Sequence, residues 1–314
     1  MAVDKKIVVL VGGVGGAKLA LGLSHIVPPE NLTLIVNTGD DFKHLGLKIC
    51  PDLDTVMYTL AGVVNPEFGW GLQDDSTTTL NTLEKHYHFE PWFRLGDKDM
   101  ATHLLRTSML NEGYTLTEVV SFLSQQIGVK PKMLPMTDSD VPTLVETETM
   151  GILGFQEYFV KHRWQPVIRS IHYKGHENAI ISESVKSALE SADILIIAPS
   201  NPWLSIAPIL SLPHMRDLIT SRNIPRVMVT PVIGGAAVKG PTAKIMSELG
   251  LDVTAESVAH YYGDVITGFV NDTQNVELAL GGIKTIQFDT LMNDLDDKIR
   301  LAQSILDWIG GWGV

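Results

Sequence analysis

The sequence predicts an α/β fold, a mainly parallel sheet with helices on both faces, and three observations predict it. Continuous apolar, β-rich runs recur at Ile7 to Val11 (IVVLV), Leu32 to Val36 (LTLIV) and Asp193 to Ala198 (DILIIA), as strands buried on both faces require. Glycine or proline follows each run closely, at Gly12, Gly39 and Pro199. Stretches of helical spacing separate the runs, so the chain alternates strand and helix.

The elements follow in order. After Ile7 to Val11, Gly12 to Gly16 break the strand, and Ala17 to Ile26 carries Leu19, Leu21, Leu23 and Ile26 before stopping at Pro28-Pro29. Leu32 to Val36 completes a βαβ unit, whose crossover is right-handed. A helix begins around Thr55-Val-Met-Tyr-Thr-Leu, and helical periodicity dominates Asp97 to Gly128. Lys132 to Met136 and Thr143 to Thr147 flank the polar turn Thr137-Asp-Ser-Asp140, a pattern that predicts an antiparallel hairpin. Ser182 to Ser191 reads as a helix, Asp193 to Ala198 as a strand and Pro213 to Arg222 as a helix. Arg226 to Val232 is a strand, Gly234 to Gly240 a loop and Thr242 to Leu249 a helix. The whole reads as a Rossmann-like, mainly parallel core over residues 1–64 and 176–314. Residues 65–175 form an inserted smaller helical and β-hairpin lobe.

Composition narrows the function. The 314 residues carry 36 acidic and 24 basic side chains, a net charge of −12. That balance argues against nucleic-acid and anionic-membrane partners, which need a basic footprint. With 45% hydrophobic and 19% charged residues the chain has material for a core and is not disordered. A lone cysteine, Cys50, precludes an intramolecular disulfide and points to a reducing cytoplasm. No apolar run reaches the roughly 18 residues of a membrane span. Ile7 to Ala17 follows Lys5-Lys6 as a signal peptide's apolar core would. Its four glycines, the interruption at Lys18 and the lack of a small-x-small cleavage site read instead as a strand entering a glycine turn.

Several strand-end motifs point to a phosphate ligand. GGVGGAK, Gly12 to Lys18, lies between strand and helix, where glycines admit a phosphate and the helix N-terminus offers free N–H groups. It fits neither standard fingerprint: Gly13 and Gly15 match G-x-G-x-x-G but Lys18 takes the third place. Gly12 and Lys18 have P-loop spacing, but Ala17 and Leu19 replace Gly and Ser/Thr. A phosphate site and a tight structural turn both remain open. Asn37-Thr-Gly-Asp-Asp41 and Pro51-Asp-Leu-Asp-Thr55 place Asp40, Asp41, Asp52 and Asp54 near the carboxyl end of the sheet. Beside a phosphate, such carboxylates suit Mg²⁺, which prefers oxygen ligands; helix capping is the plainer role for Asp52 or Asp54. Pro199-Ser-Asn-Pro202, with Ser200 and Asn201, and the loop from Pro231 to Pro241, with Gly234 and Gly235, complete a pocket.

Arg94 to Arg106 is the most distinctive polar stretch, and the histidine pairs, Cys50 and the tryptophans carry less. That stretch brings Lys98, Thr102, His103 and Arg106 within three to five residues of one another, as an exposed charged helix also would. His86 with His88, and His172 with His176, lack the third ligand of a zinc site and read as surface residues. Cys50 reads as a buried thiol and the six tryptophans as core or interface residues.

Together GGVGGAK, NTGDD, PDLDTV, RLGDKDMATHLLR, LPMTDSDVPT, APSNP with SIAPILSLP, and PVIGGAAVKGP resemble the 2-phospho-L-lactate transferase family of coenzyme F-420 biosynthesis. The resemblance runs from the first strand to about Asp294. A related family of Rossmann-like nucleotide-binding proteins shares the glycine and SNP-type loops, but the RLGD stretch separates the two. Some members carry GGTGTPK and NTAED where this chain has GGVGGAK and NTGDD; both versions keep small residues and acidic charge.

The resemblance implies an activity. A guanosine-diphosphate-activated three-carbon acid, lactyl, enolpyruvyl or glyceryl, is the donor. The ribityl alcohol of 7,8-didemethyl-8-hydroxy-5-deazariboflavin attacks the phosphorus bearing the acid, and GMP leaves with Mg²⁺ required. It implies that Gly12, Gly13, Gly15, Gly16, Lys18, Ser200, Asn201, Gly234 and Gly235 hold the nucleotide. Asp40, Asp41, Asp52 and Asp54 form the pool for Mg²⁺, and Asp54 and Arg94 match the deazaflavin positions, with the 65–175 lobe contributing to the acceptor site. Asp54 is the expected catalytic group, and Asp54→Asn should abolish transfer with the fold intact. A cytoplasmic homodimer is implied. Two other readings are a non-catalytic nucleotide or nucleotide-sugar binding regulator and an NAD-dependent dehydrogenase; Lys18 in the third glycine position counts against the latter.

Overall fold

The computed structural model describes residues 4–234, 236–237 and 241–313. β1 (Ile7–Val11) is wholly buried, with Ile7, Val9 and Val11 in one core and Val8 and Leu10 in the other. A strand covered on both faces can be apolar throughout. α1 (Gly13–Ile26) begins before the Ala17 expected from its spacing. Gly13 takes φ +58°, which turns the chain out of β1, so the glycines form the helix's first turn. Apolar periodicity does not register a turn made of glycine.

β2 (Leu32–Val36) lies parallel to β1. The hairpin β3 (Phe42–His44) and β4 (Leu47–Ile49) precedes α2 (Pro51–Leu60), where Pro51 suits the first turn. α3 (Thr78–Tyr87), α4 (Asp97–Asn111) and α5 (Leu116–Gln126) follow, the last opened by a Thr115–Glu118 capping box.

The next strands correct one expectation. β5 (Lys132–Pro135) pairs parallel with β2, whereas β6 (Thr143–Thr147) pairs antiparallel with β7 (Gly151–Gly154) and β8 (Ile168–Tyr173). No hairpin joins Lys132–Met136 to Thr143–Thr147. Met133 and Leu134 are both buried although they point to opposite faces, while β6 alternates buried and half-buried residues. The first pattern belongs inside a covered parallel sheet and the second to a sheet with one wet face. Residues 65–175 are therefore interleaved with the core: they supply an edge strand of the main sheet as well as a small sheet of their own.

The chain then returns to alternation. α6 (Glu183–Ser191), capped by Ser182, leads to β9 (Ile194–Ile197), α7 (Ala207–Leu210) and α8 (Met215–Thr220). The strand expected over Arg226 to Val232 divides into β10 (Arg226–Val229) and β11 (Val232–Ile233) at Pro231, which has no N–H for a ladder. β12 (Ala236–Ala237), α9 (Thr242–Glu248), α10 (Ala255–Tyr262), β13 (Gly268–Asp272), β14 (Lys284–Phe288) and α11 (Leu295–Gly310) complete it.

The main sheet has the order β14-β13-β10-β9-β1-β2-β5, and every pairing is parallel. From β1 the chain works outward to β5, then restarts at β9 and works outward to β14. The strand order reverses between β1 and β9, where open α/β sheets form their ligand crevice. Among the described residues no helix is long and apolar enough to cross a membrane.

Candidate active site

Three loops converge on that crevice. A Cβ on Gly12 would lie 2.4 Å from Ser205 Cβ and 2.9 Å from Asp52 Oδ2; one on Gly16 would lie 2.8 Å from Ser200 Oγ. The loops after β1 and β9 and the start of α2 are thus in direct contact. Gly15 is the tightest place, since its Cβ would come within 2.3 Å of the Pro199 carbonyl oxygen. Backbone cannot yield as a flexible side chain can, so Gly15→Ala should lower stability by about 1–3 kcal/mol in denaturant unfolding. A loss below about 0.5 kcal/mol would contradict this packing.

The nucleotide-loop residues divide by where their polar groups go. Ser200 Oγ donates to the Gly12 carbonyl at 2.6 Å, which braces the glycine loop. Asn201 Oδ1 accepts from the Trp203 and Leu204 N–H groups, and its Nδ2 donates to Thr242 Oγ1. Lys18 Nζ donates to the Met292 carbonyl at 2.6 Å. Gly234, exposed at φ +57°, donates its N–H to Asn275 Oδ1; Gly235 lies outside the described residues.

Asp40, Asp41 and Asp52 form a buried carboxylate cluster. The Asp52 N–H donates to Asp40 Oδ2 at 3.2 Å, and Asn37 Nδ2 donates to Asp52 Oδ2 at 2.9 Å. Asp41 Oδ2 accepts from Cys50 Sγ and lies 3.3 Å from Lys48 Nζ. Oδ1 of Asp40 and Oδ1 of Asp41 are buried without a hydrogen-bond partner. Burial, then the charges of Asp52 and Asp41, push Asp40 well above the usual carboxylate range. Burial also raises Asp41 to about 6, against the opposing Lys48, and Asp52 to about 7. Among the described residues Lys48 is the one countercharge in contact with the cluster and serves Asp41 alone of the three, so a hard divalent cation matches this all-oxygen donor set with spare lone pairs. The carboxylate of Asp52 also occupies the N-terminus of α1. A phosphate brought there meets like charge unless a cation lies between them.

Asp54 sits in different company. Both oxygens accept from the guanidinium of Arg106, Oδ2 at 3.0 Å from Nη1 and Oδ1 from Nη2. Arg106 is 1% exposed; burial works against its charge, but Asp54 outweighs it and its pKa rises. His103 Nδ1 lies 3.1 Å from Arg106 Nη1. A guanidinium has no lone pair to offer, so Nδ1 accepts and the N–H is on Nε2, 3.2 Å from Asp99 Oδ2. Tyr58 OH donates to the other Asp99 oxygen at 2.7 Å. Asp54, Asp99 and His103 bring ligand atoms within 4.8 Å of one another, as a metal triad would. With Asp54 held by Arg106 and His103 Nδ1 accepting from the same guanidinium, the array is an ion-pair and hydrogen-bond network tying α2 to α4.

Arg106 and His103 were visible in the sequence as a charged helix start. Their burial reverses the plainer expectation of a solvated face. Tyr58 and Asp99 were missed; the Asp99–His103 spacing of four was the available signal. Arg94, exposed ahead of α4, forms no hydrogen bond or ion pair with a described residue. A cleft of about 230 Å³ opens beside the carboxylates, lined by Asp40, Asp41, Phe42, Trp92, Phe155 and Gln156. Phe42 and Phe93 meet edge to face at 4.8 Å, and Trp92 meets His44 at 5.4 Å, giving one wall an aromatic character. Cys50 is buried and its thiol is raised by burial, as befits an inert group. His86 and His88 lie at the end of α3 and are exposed.

The profile of the family described as 2-phospho-L-lactate transferase CofD matches residues 7–294. A phosphoenolpyruvate transferase of Streptomyces griseus is 39% identical over 96% of this chain and 98% of its own. A 2-phospho-L-lactate transferase of Methanosarcina mazei is 37% identical over 95% and 99%. A UPF0052-family protein from Bacillus halodurans shares the fold, with TM-score 0.62, 16% identity, and coverage of 96% of this chain and 98% of its own. The chain belongs to the 2-phospho-L-lactate transferase CofD family.

Proposed function

We propose that the protein moves a phospho-three-carbon-acid group from its GDP-activated form to the ribityl hydroxyl of the deazaflavin, releasing GMP. The observation that carries this reading is the buried Asp40–Asp41–Asp52 cluster held against the glycine loop at the switch point. The acceptor oxygen bonds to the phosphorus bearing the acid, the bond from that phosphorus to the GMP oxygen breaks, and the hydroxyl proton passes to a carboxylate. Positioning and charge neutralisation dominate such transfers.

In this reading the α1 N-terminus and the glycine loop receive the diphosphate, braced by Ser200 and Asn201. Asp41 and Asp52 would hold Mg²⁺, which supplies neutralisation of the transferred group's charge. Asp40 Oδ1, buried and unpartnered, takes the hydroxyl proton. Asp54, with both oxygens already accepting from Arg106, orients the acceptor together with Arg94. The same reading carries a cytoplasmic homodimer.

The donor's acid is not chosen by similarity, since the phosphoenolpyruvate and 2-phospho-L-lactate transferases named above are 39% and 37% identical. The test is incubation with Mg²⁺, the deazaflavin and, separately, the lactyl, enolpyruvyl and glyceryl guanosine diphosphates. GMP release with at least one donor, and only when deazaflavin is present, is expected. No GMP from any donor overturns the transferase.

A further inference from the structure

The loop between α2 and α3 holds an aromatic pair that the transfer mechanism leaves unused. Phe68 and Trp70 are 48% and 51% exposed, yet their rings stack on each other at 5.5 Å and 29°. Exposed aromatics on a wandering loop would be unremarkable, but this loop is built. Asn65 N donates to the Gly71 carbonyl, Gly69 N to the Asn65 carbonyl and Gln73 N to the Val63 carbonyl, and Val64 bridges Leu72. Asn65 Oδ1 also accepts from the Glu67 and Phe68 N–H groups.

The loop is anchored at two places, both belonging to the site. At its tip, a Cβ on Gly69 would fall 2.7 Å from Val14 Cγ1, so the residue between the two aromatics sits directly against the glycine loop. At its far end, Asp75 accepts from the N–H groups of Lys98 and Asp99, and Lys98 Nζ reaches the Gln73 carbonyl. Those bonds fasten the loop to the start of α4, beside Arg94. Gly69 at φ +76° and Gly71 at φ +68° give the backbone the two left-handed bends that aim the flanking rings together.

We infer that the Phe68–Trp70 pair is a stacking platform for a flat heteroaromatic ring, the guanine of the donor or the tricycle of the acceptor. The inference rests on the proposed transfer, in which both substrates are flat rings joined by a short chain to the reacting phosphate or hydroxyl. A ring whose phosphate lies at the glycine loop comes within one ribose of Val14. Half-exposed Trp70, backed by Phe68, presents there a π-face that any nucleobase or flavin analogue can cover. This departs from the expectation that the tryptophans are core or interface residues.

The test is binding of GDP by calorimetry and of the deazaflavin by its own fluorescence to wild type, Trp70→Ala, Phe68→Ala and Trp70→Phe, with thermal unfolding alongside. Trp70→Ala should weaken one of the two ligands about tenfold (about 1.4 kcal/mol) and leave the other unchanged. Trp70→Phe should recover most of the loss. The ligand affected names the ring. Wild-type affinity for both ligands in both alanine variants overturns the platform while leaving the transferase standing. Equal weakening of both ligands marks loss of the loop and also overturns it. If the wild type binds neither ligand, the platform and the proposed transfer fail together.

Discussion

Asp54→Asn should lower the stability of the protein by about 3–5 kcal/mol and also abolish transfer. Asp54 and Arg106 form a bidentate pair in which Arg106 is 1% exposed, so the asparagine leaves a buried guanidinium without its countercharge. The sequence alone led to the opposite expectation for the fold, because nothing in PDLD shows that its second acid faces an arginine about fifty residues away. Loss of activity in this variant therefore proves little by itself. The informative variant is Asp54→Leu with Arg106→Met, which removes both charges and keeps apolar volume; replacing a whole buried pair is often neutral. Denaturant unfolding should return to within about 1 kcal/mol of wild type, while GMP release stays absent. An active double variant would remove Asp54 from the acceptor site. A double variant no more stable than Asp54→Asn would contradict the pairing as the source of the loss.

Asp52→Asn should have the opposite effect on stability. Asp41 and Asp52 have folded pKa values raised to about 6 and about 7, chiefly by burial. A raised carboxyl binds its proton more tightly when folded, so its contribution is present below the unfolded value of 3.8 and is lost as pH rises through about 6 to about 7. At about pH 8 the metal-free protein carries this repulsion in full, and Asp52→Asn should raise its melting temperature by about 2 °C or more. Mg²⁺ should stabilise wild type more at about pH 8 than at about pH 5, because protons compete for the same oxygens. The asparagine variant should lose most of the Mg²⁺ increment and at least about 100-fold in turnover, the scale of removing one preorganised electrostatic group. An Mg²⁺ increment equal at both pH values, or unchanged in Asp52→Asn, would place the cation elsewhere.

How far the sequence reached depends on what each signal encodes. Ile7–Val11, Leu32–Val36 and Ile194–Ile197 were legible because a strand covered on both faces has no other apolar pattern. The glycine loop, the Asp40–Asp41 pair and the Asp52 turn were legible as strand-end chemistry, and the fold does gather them at one switch point. The partner of β5 was not legible, since Lys132–Pro135 is too short to show whether one face or two are covered. Arg106 was seen, with an exposed helix start and a functional role both left open, because side-chain burial is a property of α4 packing near α2 rather than of the helix's own spacing. Phe68 and Trp70 were invisible as a pair, since only the bends at Gly69 and Gly71 bring alternate residues of a loop face to face.

The central claim is that the carboxylate crevice joins a phosphorus to the deazaflavin alcohol and lets GMP leave. Phosphorus NMR of one reaction mixture, containing enzyme, Mg²⁺, deazaflavin and the donor that releases GMP, tests it most directly. The two diphosphate resonances should vanish together, replaced in equal amounts by GMP and a phosphodiester that carries the deazaflavin. Appearance of GMP with the free phosphorylated acid would show hydrolysis instead, and appearance of GDP would show that the acid–phosphate bond is the one that breaks; either result contradicts the account.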